Sequence, residues 1–153
     1  EYWVYGSATS TTNMRQLAQA AGVGGQGVKH IAIARPTDCR YVKLEVRRGT
    51  RPDGTADNAV RLYGLDIYGE RTRPVARGSN ISIGKTILKF AGAANEREQA
   101  PHLLAGAKDG NRKWCFYAAD PTADPYRFAV VDLEAEYEIS SIQLSDSRTV
   151  ETG

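Results

Sequence analysis

Histidine and cysteine are scarce in this chain, two of each in 153 residues. Neither Cys39 nor Cys115 has a second Cys or His two to four residues away, which removes the usual zinc-site spacings. The pair is compatible with one disulfide or with two buried thiols, since a disulfide needs a geometry that sequence does not supply. His30 and His102 stand singly, on an expected strand and in an expected loop, so no Ser-His-Asp or Cys-His arrangement can be argued. No apolar run nears the roughly 20 residues of a bilayer-spanning helix. No signal peptide is visible, and that alone leaves the compartment open. Charge of one sign is lacking too: 20 basic residues stand among 18 acidic ones, a net +2 that is too mild to argue for nucleic acid. The glycines of Gly22–Gly27 are not followed by Lys-Ser or Lys-Thr and lack the flanking strand and helix of a dinucleotide site.

What is present is β-rich. Fifteen glycines punctuate many short β-branched runs, at a length that suits one domain with its own core. Glu1–Gly6 alternates as a strand, with Trp3 and Tyr5 on one face and Tyr2 and Val4 on the other; the aromatic pair Trp3 and Tyr5 is expected in the core. Asn13–Ala21 is expected as a short helix, capped by Thr12 or Asn13 and ended by Gly22. Val28–Ala34 reads as a strand and Pro36-Thr-Asp38 as a turn. Arg40–Arg48 is the clearest strand, with Val42, Leu44 and Val46 inward and Tyr41, Lys43, Glu45 and Arg47 outward. A polar loop, Gly49–Asn58, precedes a strand at Val60–Tyr68 whose apolar phase slips at Gly64, the mark of a β-bulge.

Gly69–Asn80 carries charges, Pro74 and Gly78 without apolar period, and reads as a linker. Beyond it, Asn80–Phe90 is expected as a strand, Asn95–Gln99 as loop or one helical turn, and Trp114–Tyr117 as apolar chain after the tight loop Gly106–Lys113. Tyr126–Leu133 and Tyr137–Leu144 are expected as two strands joined by an acidic turn, Glu134-Ala-Glu136. Seven or more short strands with turn signals between them predict an all-β sandwich or barrel. The sequence opens mid-strand and closes mid-loop, while a strand like a domain's last precedes the linker and one like a domain's first follows it. The order suggests one domain cut in a loop, its old ends joined.

Two sets of residues carry a resemblance. Arg40-Tyr-Val-Lys-Leu-Glu-Val46 with Arg61-Leu-Tyr-Gly-Leu-Asp-Ile-Tyr-Gly69 resembles the C-terminal half of a discoidin, or coagulation-factor type C, domain, the jelly roll that also serves as the family 32 carbohydrate-binding module. Asp109-Gly-Asn-Arg-Lys-Trp-Cys115, Val130-Val-Asp-Leu133 and Ile139-Ser-Ser-Ile-Gln-Leu144 resemble its N-terminal half. The resemblance implies a single module over 1–153, with 1–69 as the usual second half, 70–80 as linker and 81–153 as the usual first half. A circular permutation, a fragment of a tandem array and a domain-swapped pair all fit that order. A closed monomer is preferred, because domain ends tend to lie close together.

The resemblance also implies a function: non-catalytic binding of glycans, with terminal sugars such as galactose or N-acetylhexosamine, by a secreted bacterial module attached to a glycoside hydrolase. In a jelly roll the strands form a frame and the loops at one end recognise the ligand. The implied ligand-binding residues are Asp146, Arg148, Glu151, Tyr117, Arg48 and Asn58, with Arg51, Asp53, Phe116 and Tyr126 in the same or neighbouring loops. A structural calcium is implied near Asp109, with carbonyls from Lys108 and Asn111, since carboxylates and carbonyls suit that ion. Two departures bear on it: Lys113 stands where a hydroxyl residue is usual, and Gly64 stands where a Glu is usual, with Asp66 on the same strand face as a substitute. Glycosidase chemistry needs two carboxylates across a cleft, and Asp146 with Glu151 share one short loop, so an enzyme is not expected. A phospholipid- or protein-binding adhesion module, or a structural spacer, is the alternative.

Overall fold

The computed structural model describes residues 1–20, 28–47, 49–50, 56–57, 59–71, 80–90, 103–104, 114–117 and 127–146. The described residues form nine strands: β1 (Tyr2–Ser7), β2 (Arg15–Ala20), β3 (Val28–Val46), β4 (Gly49–Thr50), β5 (Ala56–Asp57), β6 (Ala59–Arg71), β7 (Thr86–Phe90), β8 (Trp114–Tyr117) and β9 (Arg127–Asp146). All pairings are antiparallel and no α-helix occurs among the described residues, so the fold is all-β. One sheet runs β2-β1-β3-β9-β6-β8, with β7 also on β9; β4 and β5 form a separate small hairpin pair. Strands from the two halves of the sequence therefore alternate, β9 lying between β3 and β6.

β3 and β9 are the spine, and both bend midway. Their ladder breaks twice: residues 33–36 of β3 face Ser140 alone, and residues 133–136 of β9 face Arg40 alone. The two excursions are reciprocal, so the register resumes beyond both. Bulges of this kind let a strand turn a corner between two layers. One layer holds β2, β1, the end of β3, the start of β9 and β7; the other holds the start of β3, the end of β9, β6 and β8. Their inner faces meet in one aliphatic core, with Val4, Val42, Leu44, Val46 and Val131 from the first layer and Ile31, Leu62, Leu65, Ile67, Ile142 and Leu144 from the second. This is the sandwich character expected from the strand pattern. At the end away from the bend, the Lys29 ammonium of the second layer lies 5.5 Å from the Tyr2 ring of the first.

Several local expectations are corrected. Asn13–Ala21 is not a helix; its core is β2. The expected caps lie in the β1–β2 turn instead, the Thr12 and Asn13 amides donating to Ser10 Oγ while Ser7 Oγ accepts from the Thr9 and Ser10 amides. The edge of β1 then captures the segment, a tertiary gain that outweighs helix propensity. Pro36-Thr-Asp38 and Glu134-Ala-Glu136 do not separate strands; they are the bends within β3 and β9, and Glu134 takes a positive φ of 66°. The strand placed at Asn80–Phe90 begins only at Thr86, after a turn through Gly84 (φ 74°). The linker is shorter than read, because Gly69–Arg71 continues β6.

Trp3 and Tyr5 also face the other way. Val4 and Gly6 point into the core, where a Cβ at Gly6 would overlap the Cys39 thiol and crowd Leu17. Beside Cys39 and Leu17 that side of β1 has no room for a large ring, and Trp3 and Tyr5 stand on the outer face. The bulge at Gly64 is found as expected, between Leu62 and Gly64 of β6. Cys39 is a buried free thiol, and burial pushes its pKa up to about 11.

Candidate ligand-binding site

The strand registers gather the flanks of the expected recognition loops at one end of the second layer. Asp146, the last residue of β9, pairs with Leu62 near the start of β6, and Tyr117, the last of β8, pairs with Ala59, the first. Val28, the first residue of β3, pairs with Ser145. The segments after β9, after β8 and before β6 thus all leave the frame at the same end. In sequence, Asn58 directly precedes β6 and Arg148 and Glu151 follow β9, whereas Arg48 follows β3. Arg48, Asn58, Arg148 and Glu151 lie outside the described residues, as do Arg51, Asp53 and Tyr126. Asp146, Tyr117 and Phe116 are placed by their backbone.

Of the expected calcium ligands, Lys108, Asp109 and Asn111 lie outside the described residues. Asp66 is described: it is 6% exposed on β6, and its Oδ1 accepts the Asn80 side-chain amide at 2.6 Å. Asn80 Oδ1 in turn accepts from the Ser82 amide at 3.0 Å and lies 2.6 Å from Ser82 Oγ, which accepts from the Ile67 amide. The Ile81 amide donates to the Ile67 carbonyl. A carboxylate oxygen here is a hard donor of the type calcium takes, and in this structure it anchors the segment 80–82 beside β6, where Asn80 also bridges to Tyr68. Among the described residues no three His, Cys, Asp or Glu side chains cluster as a metal site would require.

The most developed polar arrangement lies on the outer face of the first layer, joining Lys43, Glu45 and Arg47, expected outward, with Trp3 and Tyr5, expected in the core. Trp3 of β1 pairs with Glu45 of β3, which pairs with Phe128 of β9; Tyr5, Lys43 and Val130 form the next row. Glu45 is only 5% exposed. Its two oxygens receive Arg47 Nε at 2.7 Å and Lys43 Nζ at 2.6 Å. Burial pushes the Glu45 carboxyl up, and the hydrogen bonds and charges of Lys43 and Arg47 outweigh it, so its pKa falls below the ordinary value. The Arg47 guanidinium lies 3.7 Å from the Trp3 ring centre and donates to Tyr5 Oη at 2.8 Å. The Lys43 ammonium sits between the Tyr5 and Phe128 rings, at 4.9 and 5.3 Å. The Trp3 indole nitrogen is buried with no acceptor among the described residues. Strict alternation across two adjacent segments, 1–6 and 40–48, was the signal that could have found this cluster.

At the bend, Asp132 accepts a two-pronged Arg40 guanidinium at 2.9 and 3.0 Å, and also the Glu134 amide at 2.7 Å. The Arg40 hydrogen bond leads the causes that hold the Asp132 pKa below its usual value. Lys85 reaches Glu134 at 2.7 Å. These contacts fix the corner between the layers. Comparison with protein-family models and with curated proteins gives no match.

Proposed function

We propose that this chain is a non-catalytic carbohydrate-binding module that holds an attached glycoside hydrolase against glycans. The observation that carries the reading is the convergence of the ends of β8 and β9 with the start of β6, where Tyr117 pairs with Ala59 and Asp146 with Leu62; Asn58 directly precedes and Arg148 and Glu151 follow these strand ends in sequence. A frame of paired strands with recognition groups on its end loops is an economical way to display hydroxyl-binding side chains. The interleaving of strands from both halves of the sequence supports a discoidin-like jelly roll read in permuted order. Calcium belongs to the same reading: Asp109, the Lys108 and Asn111 carbonyls and Asp66 would supply its oxygens, and the ion would stiffen the loops. Secretion follows from a role on extracellular glycans. Single-site binding by a shallow loop-end site is weak and gains from tethering to neighbouring modules.

The test is a glycan array probed with the chain in calcium and again in chelator. The reading requires hits that share one terminal sugar and are lost in Arg148→Ala, with chelation removing them if calcium holds the loops. A blank array from a folded sample overturns it and turns attention to lipid or protein ligands.

A further inference from the structure

Apolar side chains reach the surface along one edge of the first layer. Four large apolar side chains are exposed among the described residues, and three of them, Ile83, Leu88 and Phe90, belong to β7 and the turn before it. Phe90 pairs with Ala129, which is fully buried and pairs in turn with Leu44 of the core. Directly paired residues share a face, so Phe90 stands on the core side of the sheet. It is nevertheless 45% exposed, whereas Ile87 on the same side packs against the core. Leu88 is the extra residue where the register slips between Ile87 and Lys89, and it is 46% exposed. The core thus runs out to solvent at the end of β7.

The strand is also an edge. β7 pairs with β9 on one side, and no described strand pairs with it on the other. A strand in that place presents a row of backbone N–H and C=O groups to its surroundings. On the outer face Lys89 pairs with Val130, in the row of Lys43. Lys89 is exposed, and its ammonium donates to a neutral hydroxyl, Thr11 Oγ1, at 3.1 Å. Nearby carboxylates of β9 have cations of their own, Asp132 held by Arg40 and Glu134 by Lys85. The edge therefore offers apolar surface on its core side and positive charge on its outer side.

We propose that this edge takes up an extended segment of a partner protein whose side chains alternate between acidic and apolar. Successive side chains of a strand point to opposite faces, so one register places apolar groups over Phe90 and carboxylates beside Lys89. The segment's backbone pairs with β7 and extends the first layer by one strand. A second copy of this chain is a poorer occupant. Pairing β7 with its own equivalent adds a second Lys89 and no carboxylate, and a lysine with a bulge is a usual guard of an edge against its own kind. A lipid surface covers Leu88 and Phe90 but leaves the edge N–H and C=O groups without partners. The edge belongs to the first layer and does not rest on glycan binding at the loop end of the second.

The experiment measures binding of the intact chain to a fluorescent octapeptide of four Val-Glu repeats and to its Val-Lys counterpart, by anisotropy. Lys89→Glu is the main variant, because its side chain is exposed on an edge strand; its fold is checked by thermal melting. The wild-type chain should bind the Val-Glu peptide, with the Val-Lys peptide at least about tenfold weaker, and Lys89→Glu should reverse that preference. Phe90→Ser should weaken the Val-Glu peptide about tenfold without changing which peptide is preferred. Amide hydrogen exchange locates the contact: residues 86–90 should slow when the Val-Glu peptide is present. The proposal fails if the wild-type chain binds neither peptide or both alike, if folded Lys89→Glu keeps the wild-type preference, if the slowed amides lie away from β7, or if phosphatidylserine vesicles displace the peptide. Terminal-sugar hits on the array should survive in Lys89→Glu, so loss of the edge site and loss of the loop-end site are read separately.

Discussion

Glu45 and Asp66 are buried to almost the same degree, and the two layers solve that problem differently. In the first layer Glu45 is neutralised by two cations that reach water with part of their length. In the second, Asp66 accepts an amide from Asn80, which is tied to Ser82 and through it to the backbone of β6. A carboxylate neutralised by cations depends on pH and salt, while the Asn80 bond depends on segment 80–82 staying beside β6. The first layer thus builds its outer face on charged side chains and rings. The second pairs the edge of β6 with the chain's own segment 80–82.

The contrast presumes that both layers stand on one core. Leu44→Ala in the first layer and Ile142→Ala in the second should each cost about 3 kcal/mol, and each should lower a single melting transition. Two separate transitions in either variant would break the comparison at its root. Glu45→Gln comes next, at about 2 kcal/mol, because it removes the carboxylate charge that Lys43 and Arg47 both bind. Asp66→Asn should cost less, about 1 kcal/mol, since an amide oxygen at 66 can still accept from Asn80. Denaturant titration ranks the three. A cost for Asp66→Asn above that for Glu45→Gln would show that the second layer relies on charge after all.

The pH dependence sharpens the difference. The folded pKa of Glu45 lies below its ordinary 4.5, so its contribution to stability is complete above that value and is lost as pH falls through the lowered one. Stability should therefore drop below about pH 4.5, and Glu45→Gln should flatten part of that drop. High salt should reproduce some of the loss in the wild-type chain but not in the variant.

How far the sequence led depends on what each local signal could see. Val42, Leu44 and Val46 alternate with polar neighbours, and the structure buries those three. Gly64 marked its bulge because apolar phase slipped at a residue without a side chain. Pro36 and the acidic run at Glu134 marked interruptions correctly but not their kind. Each is one half of a reciprocal excursion, and only the partner strand shows that the ladder resumes. The segment 15–20 has helix-forming residues, and nothing local announces that an open edge of β1 will claim it. Alternation alone does not say which face of β1 is inward, and the small space beside Gly6 and Cys39 is what turns Trp3 outward. The loop-end residues were reachable only through resemblance, and the sheet-face cluster needed the register of three strands.

The corner offers the finest discrimination between the layers. Asp132 belongs to the ladder of the first layer through Tyr41, and its hydrogen bond to the Glu134 amide starts the excursion that leads to the second. Arg40 holds that carboxylate from an exposed position, and the geometry is two-pronged, which a lysine does not reproduce. In Arg40→Gln the Asp132 carboxyl should titrate at higher pH than in the wild-type chain, because the leading cause of its lowered pKa is removed while the Glu134 amide remains. Carbon-detected NMR of the carboxyl group follows that shift directly. Little else should move, since the guanidinium carries no core packing. If the Asp132 titration stays where it was, the backbone hydrogen bond alone sets the corner, and the charged and dipolar solutions seen in the two layers meet there with the dipolar one in control.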